Sequence, residues 1–285
     1  MKGVSELYDR HAGSDIYVVG TGASMRVFPR SYFEGRITIG LNMAWRQVPV
    51  TYGITIHPDL NIPEFLVGET PHPEIIWVAG RRKCEGLLTA EQLQYACSNF
   101  FGFEYDGQRN TQPPHEPSDA GRVISWLERP HGNQLYVWSS IAQTGVNLAA
   151  NMGAKNVIVV GCDNCALSGN HHAHIQHTRW KGVVPEHRYQ QYEEGLSEVR
   201  SVMRRRGVNV VSLTPFVSLR DPDGDFGRMC AEVMAPLRLA GEDVAAMVPT
   251  DIPSRWKRLA RRIRRLAGLP TTEHLNPSVQ GGQAK

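Results

Sequence analysis

Ile16-Tyr17-Val18-Val19-Gly20-Thr21-Gly22-Ala23-Ser24 is the stretch that decides the fold. Four apolar residues, three of them β-branched, stop at two closely spaced glycines, the pattern of a buried strand entering a tight turn. Similar apolar runs return at 157–160, followed by Gly161-Cys162-Asp163, and at 208–213, with weaker versions at 37–40 and 75–78. Ahead of the run at 208–213, Tyr189, Tyr192, Leu196, Val199 and Met203 recur at steps of three and four. That helix ends in Arg204-Arg205-Arg206 and Gly207: cations over the last carbonyls, then a residue free to turn left-handed. Strand, helix and strand in alternation predict an α/β protein with a doubly wound, mostly parallel sheet.

A chain of 285 residues with 41% hydrophobic content can bury a full core. The expected organisation is one nucleotide-binding domain over 1–250 and a separate tail over 251–285. An irregular insertion is expected over about 102–131, where Asp106-Gly107, Pro113-Pro114, Pro117 and Pro130 punctuate the chain and only 123–127 looks core-forming. Five cysteines at irregular spacing do not form a disulfide framework. With no apolar run of about 18 residues and no secretory leader pattern, a cytoplasmic protein is expected. The net charge of +3 is carried by the tail, where eight Lys or Arg face two acidic residues, so the body is net acidic and no nucleic-acid partner is expected for it. In that tail Ile252, Trp256, Leu259, Ile263 and Leu266 fall at helical steps among the cations. An amphipathic helix over 252–269, lying on an anionic membrane surface, fits this composition.

In an open parallel sheet, ligands bind beyond the carboxyl ends of the strands. The expected nucleotide-binding residues are therefore Gly20, Thr21, Gly22 and Ser24 after the first strand, Asn42 after the second, and Asp163 after the run at 157–160. The glycines admit backbone amides to a phosphate, Ser24 is placed to cap a following helix, and Asp163 suits ribose hydroxyls. Asp59 follows 52–56 as a further polar turn residue. Gln143, Thr144 and Gly145 read as the opening of a helix over 146–152, with Thr144 its N-cap. His187, early in the long helix, is the candidate general base. His171, His172, His174 and His177 crowd a stretch, about 165–186, that reads as a lid. Their spacing matches no standard metal motif, and no metal is expected. Cys162 and Cys165 form a C-x-x-C with no second pair.

The order of these motifs, Gly20-Thr21-Gly22-Ala23-Ser24, Asn42, Thr144-Gly145-Val146 and Gly161-Cys162-Asp163, resembles the bacterial family 42 sialyltransferases. It is similar also to the related DUF115 group, which includes motility-associated glycosyltransferases and archaeal hydroxymethylpterin diphosphokinases. The resemblance covers roughly 16–215 and is strongest over 141–163. It implies a Rossmann-like domain, a CMP-sugar as co-substrate with no further cofactor, and no metal requirement. It also implies that His187 deprotonates an acceptor hydroxyl, that Asn42 contacts the nucleotide and that Gln143-Thr144-Gly145 holds it. Several such sialyltransferases carry a basic amphipathic C-terminus similar to this tail. The chain departs from the family after Gly161-Cys162-Asp163, where tyrosines would hold the leaving phosphate. Cys165 and His171 stand there instead, so His171 is expected to help the phosphate leave.

The expected function is transfer of a sialic acid-like sugar to a surface-glycan acceptor at the inner face of the cell membrane. Two alternatives are a Mg²⁺-dependent pterin-type diphosphokinase, which needs paired carboxylates, and a non-catalytic nucleotide-binding protein tethered to the membrane.

Overall fold

The computed structural model describes residues 1–62, 74–92, 100–105, 127–137, 140–163, 172–173 and 186–213. The expected tail and His171 lie outside these residues, as do most of the insertion and most of the lid. Of His187 only the backbone is described.

Among the described residues eight strands form one sheet: β1 (Lys2–Gly3), β2 (Asp15–Val19), β3 (Ile37–Leu41), β4 (Tyr52–Thr55), β5 (Ile76–Gly80), β6 (Phe100–Phe103), β7 (Asn156–Val160) and β8 (Asn209–Ser212). Their order is β1-β6-β5-β4-β3-β2-β7-β8, and every pairing is parallel. From β2 the chain builds outward as far as β6, then returns to lay β7 on the opposite side of β2. This is the doubly wound arrangement expected, and the topological switch falls between β2 and β7.

Among the described residues α1 (Pro58–Asn61), α2 (Arg81–Leu87), α3 (Ile141–Asn151) and α4 (Glu186–Arg205) accompany the sheet. Alternate strand residues feed two cores, as the two-residue period of a strand requires. Ile16, Val18, Ile39, Leu41, Val157 and Val159 pack with Val146 and Leu148 of α3 and Val199 and Met203 of α4. Tyr17, Val19, Ile158 and Val160 face the other way, toward Met25, Phe28, Phe33 and Trp45. That second face departs from expectation, because no α-helix follows β2. Two 3₁₀ turns, Ala23–Val27 and Arg30–Phe33, carry the chain to β3, and their aromatic side chains cover the sheet in place of a helix.

The long helix ends as its sequence dictates. Gly207 adopts φ +75°, and Arg206 donates to Leu127 O at 2.9 Å and Asn151 Oδ1 at 3.0 Å. These bonds hold the end of α4 against the end of α3. Leu127, read as core-forming, is fully buried. Among the described residues no helix is long and apolar enough to cross a membrane.

Candidate functional site at the carboxyl end of the sheet

The turns after β2 and β7 meet at the switch point and lock together. Gly20 N donates to Val160 O at 2.7 Å, and Gly22 N to Gly161 O at 2.8 Å. A Cβ on Gly20 would collide with the Gly161 carbonyl, and one on Gly22 would lie 2.6 Å from that oxygen and 2.7 Å from Asp163 Oδ2. The glycines are thus required by the close approach of two loops of the same chain. Ser24 Oγ donates to Asp163 Oδ1, and Ser24 N to Asp163 Oδ2 at 2.8 Å. With Ser24 fully buried and Asp163 only 7% exposed, the carboxylate is a clamp between the two turns. Ser24 does not cap a helix: the N-cap of the 3₁₀ turn is Gly22, which has no side chain to do so.

His172 and Ala173, the described part of the histidine-rich stretch, lie over this lock. Ala173 N donates to Thr21 O at 3.0 Å, Thr21 Oγ1 and His172 Nδ1 are 3.1 Å apart, and Arg26 Nε donates to Ala173 O at 2.8 Å. These two residues of the expected lid therefore touch the first site turn through Thr21. Cys162 has its thiol pushed up to about 12 by burial and then by the Asp163 charge, against a backbone hydrogen bond from Gly20. It stays protonated near neutral pH, which removes the thiolate that redox chemistry needs.

Helix α3 corrects the expected cap. It begins at Ile141, and Ser140 is its N-cap, with Oγ accepting from Ala142 N at 3.1 Å. Gln143 N is bonded to Ser140 O at 3.2 Å, and Gln143 and Thr144 are fully buried inside the helix. Gly145 is a packing residue, because a Cβ there would lie 2.8 Å from Leu41 Cδ2 and 2.9 Å from Val18 Cγ1. The helix starts one turn earlier than expected because Ser140 offers its hydroxyl at the cap, while a glycine at 145 is what lets the helix rest on β2 and β3.

The ends of β3 and β4 are built differently. Their register sets Leu41 beside Ile54, which brings Asn42 next to Thr55. Asn42 is left-handed, with φ +52°, a conformation asparagine tolerates better than most residues. Thr55 Oγ1 accepts from His57 N at 3.0 Å and from Asn61 Nδ2 at 2.8 Å. Asn61 Nδ2 also donates to the His57 carbonyl at 3.0 Å, which fixes its amide orientation. A hydroxyl has two lone pairs and one proton, so the Thr55 proton is left for Asn42. The atom of Asn42 that faces Thr55, 3.1 Å away, must then be the acceptor Oδ1. Its Nδ2 donates to no described residue, so the assignment leaves Asn42 with amide donors that the Thr55 and Asn61 contacts do not use. Thr55 and Asn61 escaped sequence reading, since their partnership exists only once the β3–β4 register is set.

The position of His187 follows from helix length. The carboxyl end of α4 is level with the strand starts, and its 20 residues extend roughly 30 Å while five-residue β7 extends about 16 Å. The first turn of α4 thus passes beyond the strand ends, carrying the His187 backbone to the site end of the sheet.

These features define an α/β protein of the doubly wound, Rossmann-like kind. No protein-family model and no curated protein matches the chain.

Proposed function

We propose that the chain is a metal-independent glycosyltransferase that passes a sialic acid-like sugar from a CMP-sugar to a hydroxyl of a surface-glycan acceptor. The observation that carries this reading is the Asn42 side chain, beside the switch point of a parallel sheet, with Oδ1 held by Thr55 and an amide nitrogen that has no partner among the described residues. Cytosine offers the O2 and N3 acceptors such a donor needs, and a ribose offers its hydroxyl oxygens. Thr21, bonded to His172 and Ala173, marks the phosphate side, and His171 keeps the leaving-group role that the resemblance implies. Asp163 supports the site from beneath by holding Ser24, in place of the ribose contact expected for it. His187, at the tip of α4, takes the proton of the acceptor hydroxyl as its oxygen attacks the anomeric carbon, and CMP leaves with the bonding pair. The protein works in the cytoplasm, held at the inner face of the membrane by the basic stripe over 252–269.

Thermal melting with CMP, CDP, UDP, GDP and ATP, each in EDTA and in Mg²⁺, tests this reading. CMP is expected to raise the midpoint in EDTA, and Asn42→Asp to abolish the rise, because the new side chain keeps an acceptor toward Thr55 and replaces the amide donor by a second acceptor. His187→Ala should keep the CMP response and lose sugar transfer. Stabilisation only by ATP with Mg²⁺ would sink the donor assignment and favour a diphosphokinase.

A further inference from the structure

We infer that the carboxyl ends of β4, β5 and β6 form a separate anion-binding subsite, with Arg82 and Lys83 as its cations and His57 and Tyr105 as its flanking hydrogen-bonding groups. The subsite would take a carboxylate or phosphate group.

Three strands converge on this place. Gly80 closes β5, and a Cβ there would lie 3.0 Å from Tyr105 Cε1 and 3.3 Å from Ile56 O, so the residues just after β6 and β4 meet over the end of β5. Helix α2 begins at that point with Arg81-Arg82-Lys83 and has no acidic residue in its first turn. A run of cations at the amino end of a helix opposes the helix dipole, so it does not serve the helix itself. Arg81 has a local partner, Glu85, 4.0 Å away. Arg82 and Lys83 are exposed and form no ion pair among the described residues.

Their charges reach the neighbouring groups. Partial burial, and then the Lys83 charge, hold the His57 imidazole below its ordinary value against the opposing pull of Asp59. Arg82 likewise opposes the upward push of burial on the Tyr105 phenol. His57 is therefore largely neutral at pH 7 and can donate one hydrogen bond to an anion without adding a third charge. Two exposed cations without an ion pair among the described residues, an imidazole and a phenol fit an anionic ligand better than they fit a solvated helix end.

Inorganic phosphate, titrated against chloride at equal ionic strength, is the direct probe, with thermal midpoint as readout. The wild-type midpoint should rise saturably, and R82Q/K83Q should weaken the apparent affinity at least tenfold. Without phosphate the double variant should melt at the same temperature or higher, since unfavourable cations have left the helix start. K83Q alone, at an exposed position, should show the same loss in smaller measure if the double variant folds poorly. No response in the wild type, or an equal response in the variants, would overturn the subsite.

Two further ligands identify the source of the anion. Loss of the CMP response in R82Q/K83Q assigns the anion to the nucleotide phosphate. Loss of the response to free sialic acid, with the CMP response intact, assigns it to a carboxylated sugar. A phosphate effect that R82Q/K83Q leaves unchanged would mean an adventitious ion only and would overturn the subsite. Because phosphate is the primary probe, this result is independent of whether CMP binds beside Asn42.

Discussion

The turns after β2 and β7 and the turns after β3 and β4 stand side by side on one sheet, yet they use polar groups in opposite ways. At the switch point, the amides of Gly20, Gly22 and Ser24 are bonded within the chain, and both oxygens of Asp163 are held by Ser24. One strand pair further along, the Asn42-Thr55-Asn61 network bonds Asn42 Oδ1, Thr55 Oγ1 and Asn61 Nδ2 to one another and leaves the Asn42 amide nitrogen without a partner among the described residues. A glycine-rich turn after a strand is therefore not by itself a phosphate cradle. Its glycines can be required by another loop, and the ligand-facing chemistry can sit next door.

The sharpest way to break this contrast is Gly20→Ala. The new methyl group meets the Gly161 backbone, which cannot yield as a flexible side chain can. A loss of about 3 kcal/mol in urea unfolding is expected. A loss under 0.5 kcal/mol would mean that the two turns are not interlocked and that Gly20 is free to face a ligand.

Asp163→Ala should cost about 2 kcal/mol, because it leaves the buried Ser24 N–H and hydroxyl without their acceptor. Asp163→Asn keeps an acceptor for one of them and should cost less. Were Asp163 a ribose contact with no clamp role, the alanine variant would lose nucleotide response at unchanged stability.

Thr55→Val probes the neighbouring region. It removes the acceptor for His57 N and Asn61 Nδ2 together with the proton that orients Asn42. The expected cost is about 1.5 kcal/mol, and the CMP response should weaken because the Asn42 amide loses its enforced orientation. An unchanged CMP response would show that this orientation does not matter for binding.

Much of the architecture was legible because it is written in local patterns. β2, β7 and β8 are short β-branched runs, and α4 carries an apolar stripe that closes with Gly207. β1, with two residues, and β6, Phe100–Phe103, carried no comparable signal, and β6 runs into the stretch that looked irregular. The absence of a helix after β2 was equally hidden, since what covers that face is a set of aromatic contacts among Phe28, Tyr32 and Phe33. In the site, Gly20, Asn42 and Asp163 were readable as residues at strand ends, but their partners were not. Ser24 meets Asp163 across about 140 positions of sequence, and Asn42 meets Thr55 only through strand register. The clamp and the unused Asn42 donor are tertiary facts, so residue type and spacing could name the participants without assigning their work.

The smallest expected effects concern the start of α3, where Ser140 and not the expected Thr144 is the cap. Ser140→Ala should cost about 1 kcal/mol, because the Ala142 amide loses its acceptor at the helix start. Thr144→Val should cost almost nothing and can gain up to about 1 kcal/mol. The Thr144 hydroxyl is buried and makes no hydrogen bond among the described residues, and valine keeps its shape while removing that unsatisfied group. If the order were reversed, with Thr144→Val the costly change, the helix would begin at Thr144 and the first amides beyond it would be open to an anion. The lock at the switch point would then have an anion-binding neighbour on the α3 side, and the contrast between the closed turns and the open Asn42 rim would shrink to a difference of one helical turn.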